Sequence, residues 1–448
     1  METSTLRVGF GVADITPPIG TYMIGGLVPP RSTAIEDPLR SKALVVESQG
    51  KKVAIVGVDL ALLPRAYCDI AIADACRRTG IGRDAIVICC SHTHSGPDTS
   101  GIFFPESLNH EYLAALPGLI AASIEQANAA CQPATMSIGR SLVYHGLHHR
   151  RVLCKDGKAL NTWMADALDD LRRCPQIVGA AGPIDPELWV VRFDGPGGKP
   201  LGVFFNYSMH ANLHGGQTAF SADYPGVVAE AMRDAFGPGV VTVFAPGACG
   251  NINPTVGGDR WREGATFIAQ MAVAAATRAK EVVGPVTVGA ARRDVSVPRL
   301  APQDQPQGAV ERLNWGGGRD FAELFQAARD RVAAMPKEIL APVGAVRLGP
   351  LGIATNPGEV FVEDGLAIKR RSPFPHTIVA ELANDDIGYQ PTRQAFADEG
   401  YEPLVGATRV TAGGIEQIVE TAIELLHELW SDAKVGAEDR TADFPRSE

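Results

Sequence analysis

Five short segments place metal-ligating, acid–base or oxyanion-stabilising side chains directly after apolar runs. The first is Ser91-His92-Thr93-His94-Ser95-Gly96-Pro97, which closes the apolar run Ala85 to Cys90. In extended backbone, residues two apart share a face, so both imidazoles can look into one pocket. A strand's C-terminal end is where open α/β sheets place ligands. The second segment runs from Phe204 through His210 and His214 to Asp223. Two histidines four apart would share a helix face, but Gly215-Gly216 follows at once, which favours His210 as a ligand. Asp223 precedes a helix near Pro225, where an N-cap and a site role compete evenly. The third, Gly247-Ala248-Cys249-Gly250-Asn251-Ile252-Asn253-Pro254, is rich in small residues. Such a loop lets backbone amides and the Asn251 and Asn253 side chains approach a substrate oxygen, although an ordinary turn reads the same way. The fourth is Asn356-Pro357-Gly358-Glu359, and the fifth is Asn384-Asp385-Asp386-Ile387-Gly388-Tyr389, with Tyr401-Glu402 downstream. Imidazole nitrogen with carboxylate and phenolate oxygen suits a zinc site that keeps one position open. The basic cluster His148-His149-Arg150-Arg151 suits one anionic or carbonyl group. Asp59, closing another apolar run, is a candidate to orient a ligating imidazole, as well read as a solvated strand end.

Elements that could position these residues alternate along the chain. Strand-like runs occur at 43–47, 52–59, 85–90, 188–193, 201–205, 240–244, 285–290, 344–348, 351–355 and 376–382, after a first strand at 6–10. Helical patterns lie at 64–79, 110–130, 225–235, 260–280, 321–334 and 415–433. The alternation predicts an α/β fold of mixed β-sheets flanked by helices, in a single large catalytic domain over residues 1–434. No repeat of fixed period is visible. Residues 147–185 and 301–318 read as long loops, and the charged tail 435–448 as disordered.

Composition limits the function. The chain has 448 residues, 45% of them hydrophobic, and a net charge of −10. That balance disfavours nucleic acid or an anionic membrane as partner. No run is long enough to span a bilayer, and no basic-then-apolar leader precedes the first strand. The eight cysteines are scattered without a CxxC pair, and Cys89-Cys90 reads as two buried free thiols. A cytoplasmic protein acting on a small molecule is the expectation, with its oligomeric state open.

Taken together, the five segments and Gly11-Val12-Ala13-Asp14-Ile15-Thr16-Pro17-Pro18 resemble the neutral/alkaline ceramidase family in its N-terminal catalytic domain. The resemblance runs to about Glu402 and is most specific at residues 91–97. It implies one zinc ion per chain, held by His92, His210, Glu359 and Tyr389. It implies active-site roles for His94 and Tyr401, and a substrate-holding arginine at Arg150, with Arg151 possible. Asn251 and Asp223 are added as substrate-binding candidates. Three departures bear on the substrate. Asn253 stands where the ceramidases carry an essential serine, which excludes a seryl acyl-enzyme at that position. The chain ends too soon for the family's immunoglobulin-like domain, and no leader is visible. The expected chemistry is hydrolysis of an amide, or a related ester, by metal-activated water, with Asn253 and the loop amides helping at the oxyanion. Alternatives are a lactonase or esterase on the same site, a true ceramidase, a two-metal hydrolase using His94, His214, Asp223 and Asp386, or a non-catalytic binding protein.

Overall fold

The computed structural model describes residues 6–25, 29–102, 104–164, 177–305 and 321–431. Three sheets dominate it, and their topologies match. In the first, Arg7–Asp14, Arg40–Ser48 and Lys51–Val58 run antiparallel, and Ile86–Cys90 then pairs parallel with Lys51–Val58. In the second, Thr135–Leu142, Glu187–Asp194 and Pro200–Tyr207 are antiparallel, and Val241–Pro246 pairs parallel with Pro200–Tyr207. In the third, Val288–Pro298, Glu338–Leu348 and Leu351–Thr355 are antiparallel, and His376–Ala380 pairs parallel with Leu351–Thr355.

A parallel neighbour requires a crossover, and here each one is a helix. Arg65–Thr79, Asp223–Phe236 and Val362–Arg371 serve the three sheets in turn. A second, longer helix follows in each unit: His110–Ala129, Trp261–Thr277 and Ala412–Ser431. The alternation of strand and helix patterns predicts this mixed α/β architecture; that it consists of three copies of one unit is a finding of the structure. The expected strands and helices all have counterparts, while Thr135–Leu142 and Val362–Arg371 add to them. The stretch read as a loop at 147–185 holds short strands at Leu147–His149, Arg151–Cys154, Ala159–Asn161 and Ile177–Ala180. Most of 301–318 and the tail 435–448 lie outside the described residues.

Side-chain alternation explains the layering. Leu44, Val46, Ile55, Phe204, Val243, Ile353 and Ile378 point inward from all three sheets into one shared core. Their neighbours in sequence point outward, each set onto its own helices: Val45 and Val56 in the first unit, Phe205 and Phe244 in the second, Ala354 and Val379 in the third. Cys68, Cys76, Cys89, Cys90, Cys131, Cys154 and Cys249 are free thiols, and burial pushes Cys89 up to about 12. Among the described residues, no helix is long and apolar enough to cross a membrane.

Candidate active site

The loops after the parallel strand pairs meet at one place. His92 follows Ile86–Cys90, His210 follows Pro200–Tyr207, Glu359 follows Leu351–Thr355 and Tyr389 follows His376–Ala380. Glu359 and Tyr389 face each other as partners in a two-residue parallel ladder. These four residues are buried. Three of them, with His94, Arg150, Asn253 and Tyr401, line a cavity of about 220 Å³; His210 stands behind it, against Arg150 and Glu359.

The histidines arrive by a different route from the extended strand inferred above. His92 has a φ of +62°, in the left-handed region, so 92–94 is a turn. A non-glycine residue held there costs about 1–3 kcal/mol, and such strain clusters at functional sites. The turn still brings the rings together, with centroids 4.8 Å apart for His92 and His94 and 4.5 Å for His92 and His210.

Hydrogen bonds fix the tautomers. His92 Nδ1 lies 3.0 Å from the Ala61 carbonyl, His210 Nδ1 2.7 Å from that of Cys249, and His94 Nδ1 3.3 Å from that of Gly25. A carbonyl only accepts, so each Nδ1 carries the proton and each neutral ring presents a lone pair at Nε2. Those nitrogens converge, with all three within 4.8 Å of one another. Glu359 Oε2 lies 3.1 Å from His92 Nε2 and 3.3 Å from His210 Nε2. That oxygen is buried and has no hydrogen-bond donor among the described residues. Three imidazole Nε2 atoms and an unpartnered carboxylate oxygen make an electron-rich pocket, the donor set a divalent cation fits, in which the His210 lone pair accepts from Arg150 Nη1. The alternative charge balance is a protonated ring. Burial opposes charge on His92, but Glu359 outweighs it and raises His92. His94 is held well below its ordinary value by burial and by the other two rings. His210 falls to about 4 through burial, Arg150 and His92. Glu359 sits well below the ordinary carboxylate range because His92 and His210 overcome its burial.

Arg150 completes the wall. Its Nε donates to Glu402 Oε1 at 2.8 Å, and its Nη1 donates to His210 Nε2 at 3.0 Å and Asn253 Oδ1 at 3.3 Å. Because Asn253 accepts from Arg150 through Oδ1, its Nδ2 is the group left for the cavity. The Arg150 guanidinium lies 5.0 Å over the Tyr389 ring, and the Tyr389 and Tyr401 rings are 5.6 Å apart. Burial raises both phenols.

Several candidates stand elsewhere. Arg151 donates to Glu402 Oε2 at 2.6 Å and to the carbonyls of Ala395 and Glu399, so it holds the chain rather than lining the cavity. Asn251 bridges Glu363 Oε2 at 2.7 Å and the Val362 amide at 2.9 Å. Asp223 accepts from the His214 and Tyr224 amides at 2.8 and 2.6 Å, a helix-start role that burial accompanies by raising it to about 7. Asp59 neither meets an imidazole nor faces solvent: it is buried and accepts from Lys42 at 2.8 Å. His214 bonds Ser95 Oγ at 2.8 Å, and Asp386 reaches the cavity wall but is held by Arg409 at 2.8 Å. Among the described residues, His92, His94 and His210 form the one such ligand cluster, so the spare ligands do not assemble a second metal site. The loop amides of Cys249, Gly250 and Ile252 are taken by Glu381, Val360 and Cys249 and are not available to an oxyanion.

Sequence reasoning passed over Asn212 and Trp163 in the wall and the buried carboxylate Glu381 behind it, while Glu402, named there with Tyr401, also stands behind the wall. Glu402 directly follows Tyr401 and is held near 2 because Arg150 and Arg151 outweigh its burial.

No family model matches the chain, and no curated protein does. Solved structures do. The neutral ceramidase from Pseudomonas aeruginosa superposes with a TM-score of 0.70 at 20% identity, over 95% of this chain and 75% of that one. A ceramidase complexed with C2 superposes at 0.73 and 20% identity, over 99% of this chain and 77% of the other. The chain thus has the fold of the neutral ceramidases, the family that its active-site segments resemble.

Proposed function

We propose that the chain is a zinc-dependent hydrolase that cleaves an amide bond of a small substrate with water as the nucleophile. The observation that carries this reading is the buried, donorless Glu359 Oε2 among converging imidazole lone pairs, inside a cavity walled by Arg150, Tyr401 and Asn253. His92, His210, Glu359 and Tyr389 would hold one metal ion. A divalent cation there supplies a Lewis acid and makes hydroxide available near neutral pH.

The chain's own residues do the rest. His94, neutral because burial and two rings suppress its charge, takes the proton of the attacking water at Nε2. It returns that proton to the leaving nitrogen. The Tyr401 hydroxyl and Asn253 Nδ2 donate to the carbonyl oxygen as it becomes an oxyanion. Arg150, kept charged by Tyr389, Glu402 and Glu359 against its burial, fixes the carbonyl end of the substrate. Asn253 cannot form an acyl intermediate at its position, which accords with water as the nucleophile.

The test is elemental analysis of purified wild type against His92→Ala and His210→Ala, followed by assays on short amides, lactones, esters and a dispersed N-acylsphingosine. About one zinc per chain, lost in both variants, with amide cleavage, is the expected result. Metal-free wild type with no activity on adding zinc would replace this reading with a binding protein.

A further inference from the structure

Behind the cavity, Glu381 follows His376–Ala380 and is fully buried. One of its oxygens, Oε2, accepts from two backbone amides, Cys249 at 3.1 Å and Val360 at 2.8 Å. The other, Oε1, accepts from the Cys249 thiol at 2.9 Å. The two amides belong to different units of the fold. Cys249 follows the second unit's parallel pair, and its carbonyl receives the Nδ1 proton of His210. Val360 directly follows Glu359 in the third unit. Glu381 itself is anchored across the same seam, through its amide to the Pro246 carbonyl at 3.1 Å. Two further bonds close the frame: the Gly250 amide donates to the Val360 carbonyl at 2.8 Å, and the Asn384 side chain holds the strand that leads to His92.

We infer that Glu381 is a positioning residue for the metal centre: one carboxylate oxygen ties the loop that orients His210 to the strand that carries Glu359. The inference rests on the metal reading proposed above. Two buried amides with no other acceptor among the described residues must be satisfied together, and a single oxygen does so only while the two loops keep their spacing. The imidazole of His210 and the carboxylate of Glu359 are therefore presented to one point by a shared clamp. Groups that orient ligands in this way typically change metal affinity about 10–100-fold when altered.

The chemistry predicts which substitutions matter. Glu381→Gln keeps an amide oxygen where Oε2 lies and turns its NH₂ towards the Cys249 sulfur, so both backbone bonds survive. Glu381→Asp keeps the carboxyl group but shortens the side chain by one methylene, and its oxygen no longer reaches both amides.

The experiment strips full-length protein of metal with a chelator and titrates it with Co²⁺, followed by calorimetry and visible absorption, with thermal melting of each variant beside it. Wild type and Glu381→Gln should bind with similar affinity and spectrum. Glu381→Asp should bind about 10–100-fold more weakly with an altered ligand-field spectrum. Wild-type affinity and spectrum in Glu381→Asp overturn the inference while leaving the metal reading intact. Loss of affinity in Glu381→Gln overturns it as well, since charge rather than the clamp would then matter. Wild type that does not take up Co²⁺ removes the metal reading and this inference together. Should Glu381→Asp melt too low to titrate, Glu381→Met, which has no acceptor, is measured in its place and must show the same weakening.

Discussion

At the scale of single residues, the site is defined by where protons are absent. Each of three imidazoles gives its Nδ1 proton to a main-chain carbonyl and turns a lone pair on its neighbours. His94 and Tyr401 line the cavity beside the pair that Glu359 makes with His92 and His210. His94→Ala and Tyr401→Phe should each lower turnover by about 10²–10³ with zinc content unchanged, as removal of one transition-state donor does elsewhere. Full turnover in both, by steady-state assay, would remove them from the mechanism. Arg150 allows a sharper separation, because its Nη1 donates to the His210 lone pair that a metal would need. Arg150→Ala should raise KM while leaving metal affinity unchanged or tighter, and a weaker Kd for zinc by calorimetry would contradict that competition.

This residue-level chemistry was legible in part. His92, His210, Glu359 and Tyr389 lie in segments that follow apolar strands, a local signal, but it is the resemblance to the neutral ceramidases that singles them out as a ligand set. Arg151, Asn251 and Asp223 look identical to site residues in one dimension. Their partners, Glu402, Glu363 and the His214 amide, decide their roles, and two of those partners are remote in sequence. Glu381 was hidden for the same reason, and so was the role of Glu402: a buried carboxylate is recognised by the donors it collects, and these are remote in sequence.

At the scale of elements, the loops after the parallel strands are held at close quarters. A Cβ on Gly250 would lie 2.5 Å from the Glu359 carbonyl oxygen and 3.1 Å from that of Val360. Both obstacles are backbone, which cannot swing aside as a flexible side chain does. Gly250→Ala must therefore push the ligand-bearing strand away, at a cost of about 1–3 kcal/mol in overpacking. The expected outcome is a lower melting temperature together with weaker zinc binding. A variant that melts like wild type and binds zinc normally would show that the loops are looser than their spacing indicates. The strands and helices themselves were readable from apolar runs and turn residues. The threefold recurrence was not, because the units begin at Arg7, Thr135 and Val288 and insert loops of unequal length, which defeats any search at fixed period.

At the scale of the whole molecule, a site shared among three units depends on how those units are locked together. Lys369, on the third unit's crossover helix, reaches Asp185 at 2.5 Å and Glu187 at 3.1 Å in the second. Glu187 is also held by Arg140 at 2.5 Å and by the Trp189 indole at 3.1 Å. Asp185 in turn accepts from Ser208, two residues before His210, at 3.4 Å. Burial opposes the charge on Lys369, and its two carboxylates more than restore it, raising the ammonium. Burial likewise opposes charge on Glu187, and Lys369, Trp189 and Arg140 lower it below the usual range. A raised lysine contributes stability that is complete below its unfolded value, about 10.4, and is lost as pH climbs through the folded one. A lowered glutamate contributes stability that is complete above about 4.3 and is lost as pH falls through the folded value. Lys369→Met leaves the buried Asp185 and the half-buried Glu187 short of a cation and should cost about 3–5 kcal/mol. Denaturant unfolding should show that deficit undiminished between about pH 4.3 and 10.4 and shrinking at either extreme. A deficit near zero throughout that window would mean that the seam between second and third units does not depend on this ion cluster. The metal ligands could then be re-spaced without reference to this ion cluster.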